Sequence, residues 1–142
     1  MVAGASLKRR FLSLVYESLI LAALLLAGAL PVVIVTRTWD HAISRPVLQI
    51  WLLLVCGLYY VWHWVRKGQT LPMKTWRLRL VTHNGSPLTK TRATLRYALA
   101  LVSTLALGMG FLWALMDRDR QFLHDRLAGT RIIAAEDDTR AA

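Results

Sequence analysis

Residues 11–35 read FLSLVYESLILAALLLAGALPVVIV. They form a run of bilayer length carrying a single charge, Glu17, behind the basic cluster Lys8, Arg9, Arg10. A soluble helix keeps one polar face, whereas this run is apolar all round, so it is expected to cross a membrane with some tilt. A basic start before an apolar run also describes a signal peptide, with Ala27-Gly28-Ala29 as a cleavage site. The run is too long for a typical signal core and stays apolar beyond that site, which weighs against cleavage.

Two more apolar blocks follow, residues 47–65 and 97–116. The second holds Trp51, Tyr59, Tyr60, Trp62 and Trp64 and ends at Arg66-Lys67, the pattern of an interfacial aromatic belt. A short loop with few charges joins the first two blocks, so they are expected to pair as an antiparallel hairpin. In the third block, Gly108 and Gly110 fit either close helix packing or the break of a re-entrant segment, and packing is the favoured reading. A full crossing would carry residues after Asp117 away from the preceding basic segment, and a broken one would return them. The fold class expected is therefore an all-α membrane protein, a bundle of three hydrophobic segments. A short basic, strand-like interfacial segment separates the second from the third.

Charge sets the expected orientation. The chain is 56% hydrophobic yet carries a formal charge of +10, so its charges must be gathered between apolar blocks. From Arg66 to Arg96 there are eight basic residues (Arg66, Lys67, Lys74, Arg77, Arg79, Lys90, Arg92, Arg96) and no acidic one. The loop between the first two blocks nets only +1. The positive-inside rule then puts the N-terminal residues 1–10 and the 66–96 segment together in the cytoplasm. Arg66, Lys67, Lys74, Arg77 and Arg79 are expected to meet anionic lipid headgroups. Nucleic acid would be drawn by the same charge, but a membrane boundary explains it without a further partner.

Within that segment, residues 75–83 (TWRLRLVTH) alternate apolar and basic side chains before the turn cluster Asn84-Gly85-Ser86-Pro87. Pro87 suits a helix start, and residues 88–116 can run on as one helix. Residues 130–134 (TRIIA) form a second strand-like piece, which can pair with RLRLV only if both lie on one side. The tail 134–142 is small, charged and expected to be disordered.

Candidate chemistry is sparse. Glu17 lies about six residues, roughly 9 Å, into the first span, where an uncompensated carboxylate costs on the order of 2–3 kcal/mol. It is either a proton- or cation-binding group or half of an interhelical salt bridge, and the bridge is the commoner case. His63 and Arg96 come to comparable depth and are its possible partners. Residues 117–126 (DRDRQFLHDR) read as a surface strip with an apolar side. His124-Asp125 has no second pair at ligand spacing, so no metal or other cofactor is indicated. There is no phosphate-binding loop, dinucleotide glycine pattern or nucleophile elbow, so no enzymatic activity is indicated. The lone Cys56 falls in an apolar run and excludes an internal disulfide framework.

Three stretches taken together, RRFLSLVYE (9–17), GQTLPMKTWRLRLV (68–81) and DRDRQFLHDRLAGT (117–130), resemble the RDD family of small bacterial membrane proteins. The resemblance spans roughly residues 7–133. The family takes its name from an arginine and two aspartates. The arginine corresponds to Arg10, with Arg9 the adjacent alternative, and the second aspartate to Asp125. The first falls at Glu17, which keeps the charge but is one methylene longer. The resemblance implies a multi-pass protein of the bacterial inner membrane, with Arg10, Glu17 and Asp125 as its polar constellation. Transport of an unknown ligand, or cation/proton exchange, is the role it implies, and because one copy has too few helices to enclose a pathway a homo-oligomer is expected. The rival expectation is a membrane adaptor whose basic segment docks a partner protein or anionic lipid.

Overall fold

A computed structural model describes residues 6–106, 112–113, 116–117 and 121–135. The first helix, α1 (Leu7–Thr36), starts at Ser6, whose hydroxyl accepts from the Arg9 amide. At 1.5 Å per residue its 30 residues extend about 45 Å, and Pro31 is accommodated within it. Helix α2 (His41–Lys67) begins upstream of the apolar block, because the Asp40 carboxylate caps the Ala42 amide at 2.9 Å. It ends at Gly68, whose left-handed backbone (φ 64°) lets its N–H bond the Trp64 carbonyl. A Cβ at Gly68 would lie 2.9 Å from the Leu80 carbonyl oxygen, so strand and helix end meet only over a glycine.

These two helices are long and apolar enough to cross a membrane, and their central windows are 6% and 0% buried. Leu19, Leu26, Leu54 and Leu58 are each more than 60% exposed. Such surfaces are unfavourable in water and suited to hydrocarbon. The helices are joined through residues 37–40 as the expected hairpin, with Trp51 Nε1 donating to the Gly28 carbonyl at 2.9 Å.

At the end of the hairpin that holds the start of α1 and the close of α2 sits a small α/β layer. It comprises α3 (Leu71–Thr75), β1 (Leu78–Thr82), the start of α4 (Lys90–Leu105), α5 (Leu123–Leu127) and β2 (Thr130–Ala134). Strands β1 and β2 pair antiparallel, with Leu80 opposite Ile132 and Thr82 opposite Thr130. The buried core lies here, built by Trp64, Met73, Leu78, Leu80, Leu88, Ala93, Phe122 and Ile132.

The sheet bears directly on the third apolar block. Because β1 precedes it and β2 follows it, their pairing means the chain leaves and returns at the same end of the hairpin. Helix α4 follows its Thr89 cap and stops at Leu105, so its 16 residues span about 24 Å, less than a hydrocarbon core. The single helix expected over 88–116 is thus shorter among the described residues, and only the first two segments have the length and hydropathy of spans. Gly108 and Gly110 lie outside the described residues. Helix α4 still packs on α2: the Tyr97 hydroxyl donates to the Leu53 carbonyl at 2.8 Å, and its ring covers Gly57. Residues 134 and 135, expected in the tail, are instead ordered: Ala134 closes β2 and the Ala135 amide bonds the Arg77 carbonyl at 2.8 Å. Residues 136–142 lie outside the described residues.

Candidate functional site

On α1, Arg10, Ser13, Leu14, Glu17 and Leu21 follow helical spacing and line one side of a cavity of about 270 Å³. Trp64, Tyr60, Cys56 and Leu53 line it from α2, and Arg96, Tyr97 and Leu101 from α4. Thr70, Phe122, His124 and Ile132 close it from the α/β layer. The cavity therefore lies where the apolar hairpin meets the polar layer.

Each charged group here is buried and held. Glu17 is 6% exposed, and its Oε2 accepts from the Thr70 hydroxyl at 2.6 Å. Its Oε1 is buried, and the Tyr59 hydroxyl is a second neutral group within reach of the carboxylate. Arg96 gives Asp125 Oδ1 two contacts at 2.6 Å, from Nε and from the second guanidinium nitrogen. The same guanidinium lies 4.2 Å over the Trp64 ring. An ion pair this deep holds its place only when both partners are engaged from several sides, and the ring and the carboxylate do this for Arg96. Arg10, 2% exposed, donates to the Ile132 carbonyl at 2.9 Å and lies within electrostatic reach of Asp125. Next to it, His124 is buried, which pushes its imidazole down from the usual 6.5 to about 4 and favours the neutral ring.

Residues 10, 17 and 125, far apart in the chain, thus converge on one site. A model of the RDD family matches residues 4–129. The chain belongs to the RDD family. Its members are membrane proteins, in keeping with the two apolar helices. No curated protein and no solved structure matches the chain.

In this RDD protein the partners differ in detail from those expected. His63 and Arg96 both lie close enough to act on the Glu17 charge, but neither bonds it. His63 is engaged with the Tyr59 carbonyl at 2.7 Å, and Arg96 with Asp125. Three participants escaped the sequence reading. Thr70 looked like an ordinary loop residue after Gly68. Trp64 is 4% exposed and belongs to the core rather than to an interfacial belt. The third, the Ile132 carbonyl, is backbone and carries no residue-type signal at all. The 117–126 strip is also less solvated than expected: Asp117 is 8% exposed and bonds Arg126, while Asp125 is fully buried.

Of the residues expected at headgroups, Arg66, Lys67, Lys74 and Arg77 are exposed and Arg79 is half-buried. All five lie at the α/β end of the molecule, with Arg66 4.2 Å over the Trp62 ring.

Proposed function

We propose that this RDD protein is a small inner-membrane protein whose oligomers form a transport or cation/proton-exchange unit, with Glu17 as the exchanging group. The observation that carries the reading is the state of Glu17. It is buried beside a cavity, and its hydrogen-bonding neighbours, Thr70 and Tyr59, are neutral hydroxyls. A purely structural carboxylate would be expected to bind its cation directly, as Asp125 does. Held by neutral groups, Glu17 can take up and release a proton or cation without breaking an ion pair. The basic residues at the α/β end support a cytoplasmic position for that end, and for the N-terminus with it, by the positive-inside rule. Two spans enclose no pathway, so several copies are needed, and the exposed apolar faces of α1 and α2 provide the surface for assembly.

The test is Glu17→Gln in proteoliposomes loaded with a pH-reporting dye. Loss of cation-driven proton flux with insertion intact is the expected result. Unchanged flux refutes the role.

A second reading is favoured by the exposed Arg66, Lys67 and Lys74, which suit docking of a partner protein or anionic lipid. In that case Glu17→Gln alters stability or assembly alone, and a defined partner co-purifies with the chain.

A further inference from the structure

The cavity has a direction. Along α1 it runs from Arg10 to Leu21, along α2 from Trp64 to Leu53, and along α4 from Arg96 past Leu101 to Thr104. On α1 and α2 the charged or hydrogen-bonding residue stands at the α/β end and leucine at the other, while on α4 the far residue is Thr104, whose hydroxyl is spent on the Ala100 carbonyl. Eleven residue steps along α1 or α2 make the slot roughly 16 Å long. Its volume of about 270 Å³ is well above the ~150 Å³ at which an apolar protein cavity stays dry and takes up benzene. Leu14 and Leu53, both in its wall, are 36% and 48% exposed, so the apolar limb communicates with the surface that α1 and α2 turn to lipid.

The polar end narrows the choice of occupant. It brings together two guanidiniums, Arg10 and Arg96, and two carboxylates, Glu17 and Asp125, so its formal charge is balanced. A charged head would upset that balance where screening is weak. Among its buried polar atoms, Trp64 Nε1, a donor, and Asp125 Oδ2, an acceptor, have no hydrogen-bond partner among the described residues, and Glu17 Oε1, an acceptor, has only the Tyr59 hydroxyl in reach. A hydroxyl both donates and accepts. An ionised carboxylate cannot donate, and an ammonium cannot accept.

We infer that the slot is a binding site for a single-chain amphiphile with an uncharged hydroxyl head, its chain lying along Leu21, Leu53 and Leu101 and its head beside Glu17 and Trp64. This goes beyond the exchange reading and holds whether or not the chain moves ions.

Cys56 is the chain's one cysteine and lines the slot, so it reports occupancy. The full chain in phosphatidylcholine nanodiscs is alkylated with N-ethylmaleimide, and the rate is followed by mass spectrometry. The probes are 1-dodecanol, dodecanoate and dodecylammonium at equal mole fraction in the bilayer. The hydroxyl head should slow Cys56 alkylation at concentrations about three- to tenfold lower than either charged head, the worth of one or two buried hydrogen bonds. Glu17→Leu should abolish that preference. Glu17→Gln keeps an acceptor oxygen and should retain it, even though the same variant loses flux if the exchange reading holds. The two ideas can therefore fail separately. An unchanged rate with 1-dodecanol, or equal protection by all three heads, overturns the inference.

Discussion

Removing the Asp125 carboxylate is the severest single test of the site. Asp125 is fully buried and Arg96 6% exposed, and two 2.6 Å contacts join them. In Asp125→Ala the guanidinium stays buried with only the Trp64 ring to face it. Breaking a buried pair from one side costs about 3–5 kcal/mol, and the ring interaction, worth about 0.5–2 kcal/mol, is present before and after and offsets none of it. Arg10 loses a nearby countercharge as well. The expected loss is therefore about 3–5 kcal/mol, read from SDS-driven unfolding in mixed micelles. Asp125→Asn keeps one acceptor and should lose about 2 kcal/mol. Adding Arg96→Met to Asp125→Ala should recover part of the loss, because the unpaired charge goes too. A loss below about 1 kcal/mol for Asp125→Ala, or additivity within about 0.5 kcal/mol in the double-mutant cycle, would show that the pair does not hold the layer to the hairpin.

Three further outcomes follow from the same geometry. Arg10→Ala should cost about 1.5–3 kcal/mol, the worth of a charged hydrogen bond, and release β2 from α1, seen as faster proteolysis near residues 128–134. Gly57→Ala puts a Cβ 2.9 Å from the Tyr97 ring; about 1–3 kcal/mol of overpacking should follow, with a changed near-ultraviolet signal from the displaced tyrosine. His124 is neutral in the folded chain with its pKa lowered to about 4, while the unfolded chain binds a proton near 6.5. Its contribution is fully present above about pH 6.5 and is lost as pH falls towards 4, up to about 3 kcal/mol. His124→Gln should remove that part of the slope in an unfolding titration.

The hairpin was legible because a bilayer tests composition: the 11–35 run has too few polar groups to do anything but cross. The first strand was legible from the alternation in RLRLV and the second only as a short β-branched piece, TRIIA; their pairing brings the chain back to the same end, a return that hydropathy over 97–116 left open. The convergence of Arg10, Glu17 and Asp125 came from the family resemblance rather than from spacing. The detailed partnering was not readable. By depth Arg96 was expected to partner Glu17, and Asp125 was read as part of a surface strip; their pairing with each other rests on α5 packing against α4, a tertiary fact. Thr70 became the Glu17 partner because Gly68 turns the chain back under α1, and nothing in the letters GQT says where that turn points.

The bond from Arg10 to Ile132 joins positions 122 residues apart. At roughly 5–20 residues per second of synthesis, the acceptor appears about 6–24 s after the donor. For about the second half of that wait α1 and α2 are already made, yet the guanidinium at the threshold of α1 must remain hydrated or meet a temporary headgroup. Closure of the site is thus a late event in biogenesis, timed by the last strand rather than by insertion of the first helix. A chain stopped short of residue 130 would leave a hairpin anchored in the bilayer with its polar end ajar, a form that cellular quality control could distinguish from the finished protein by an exposed arginine.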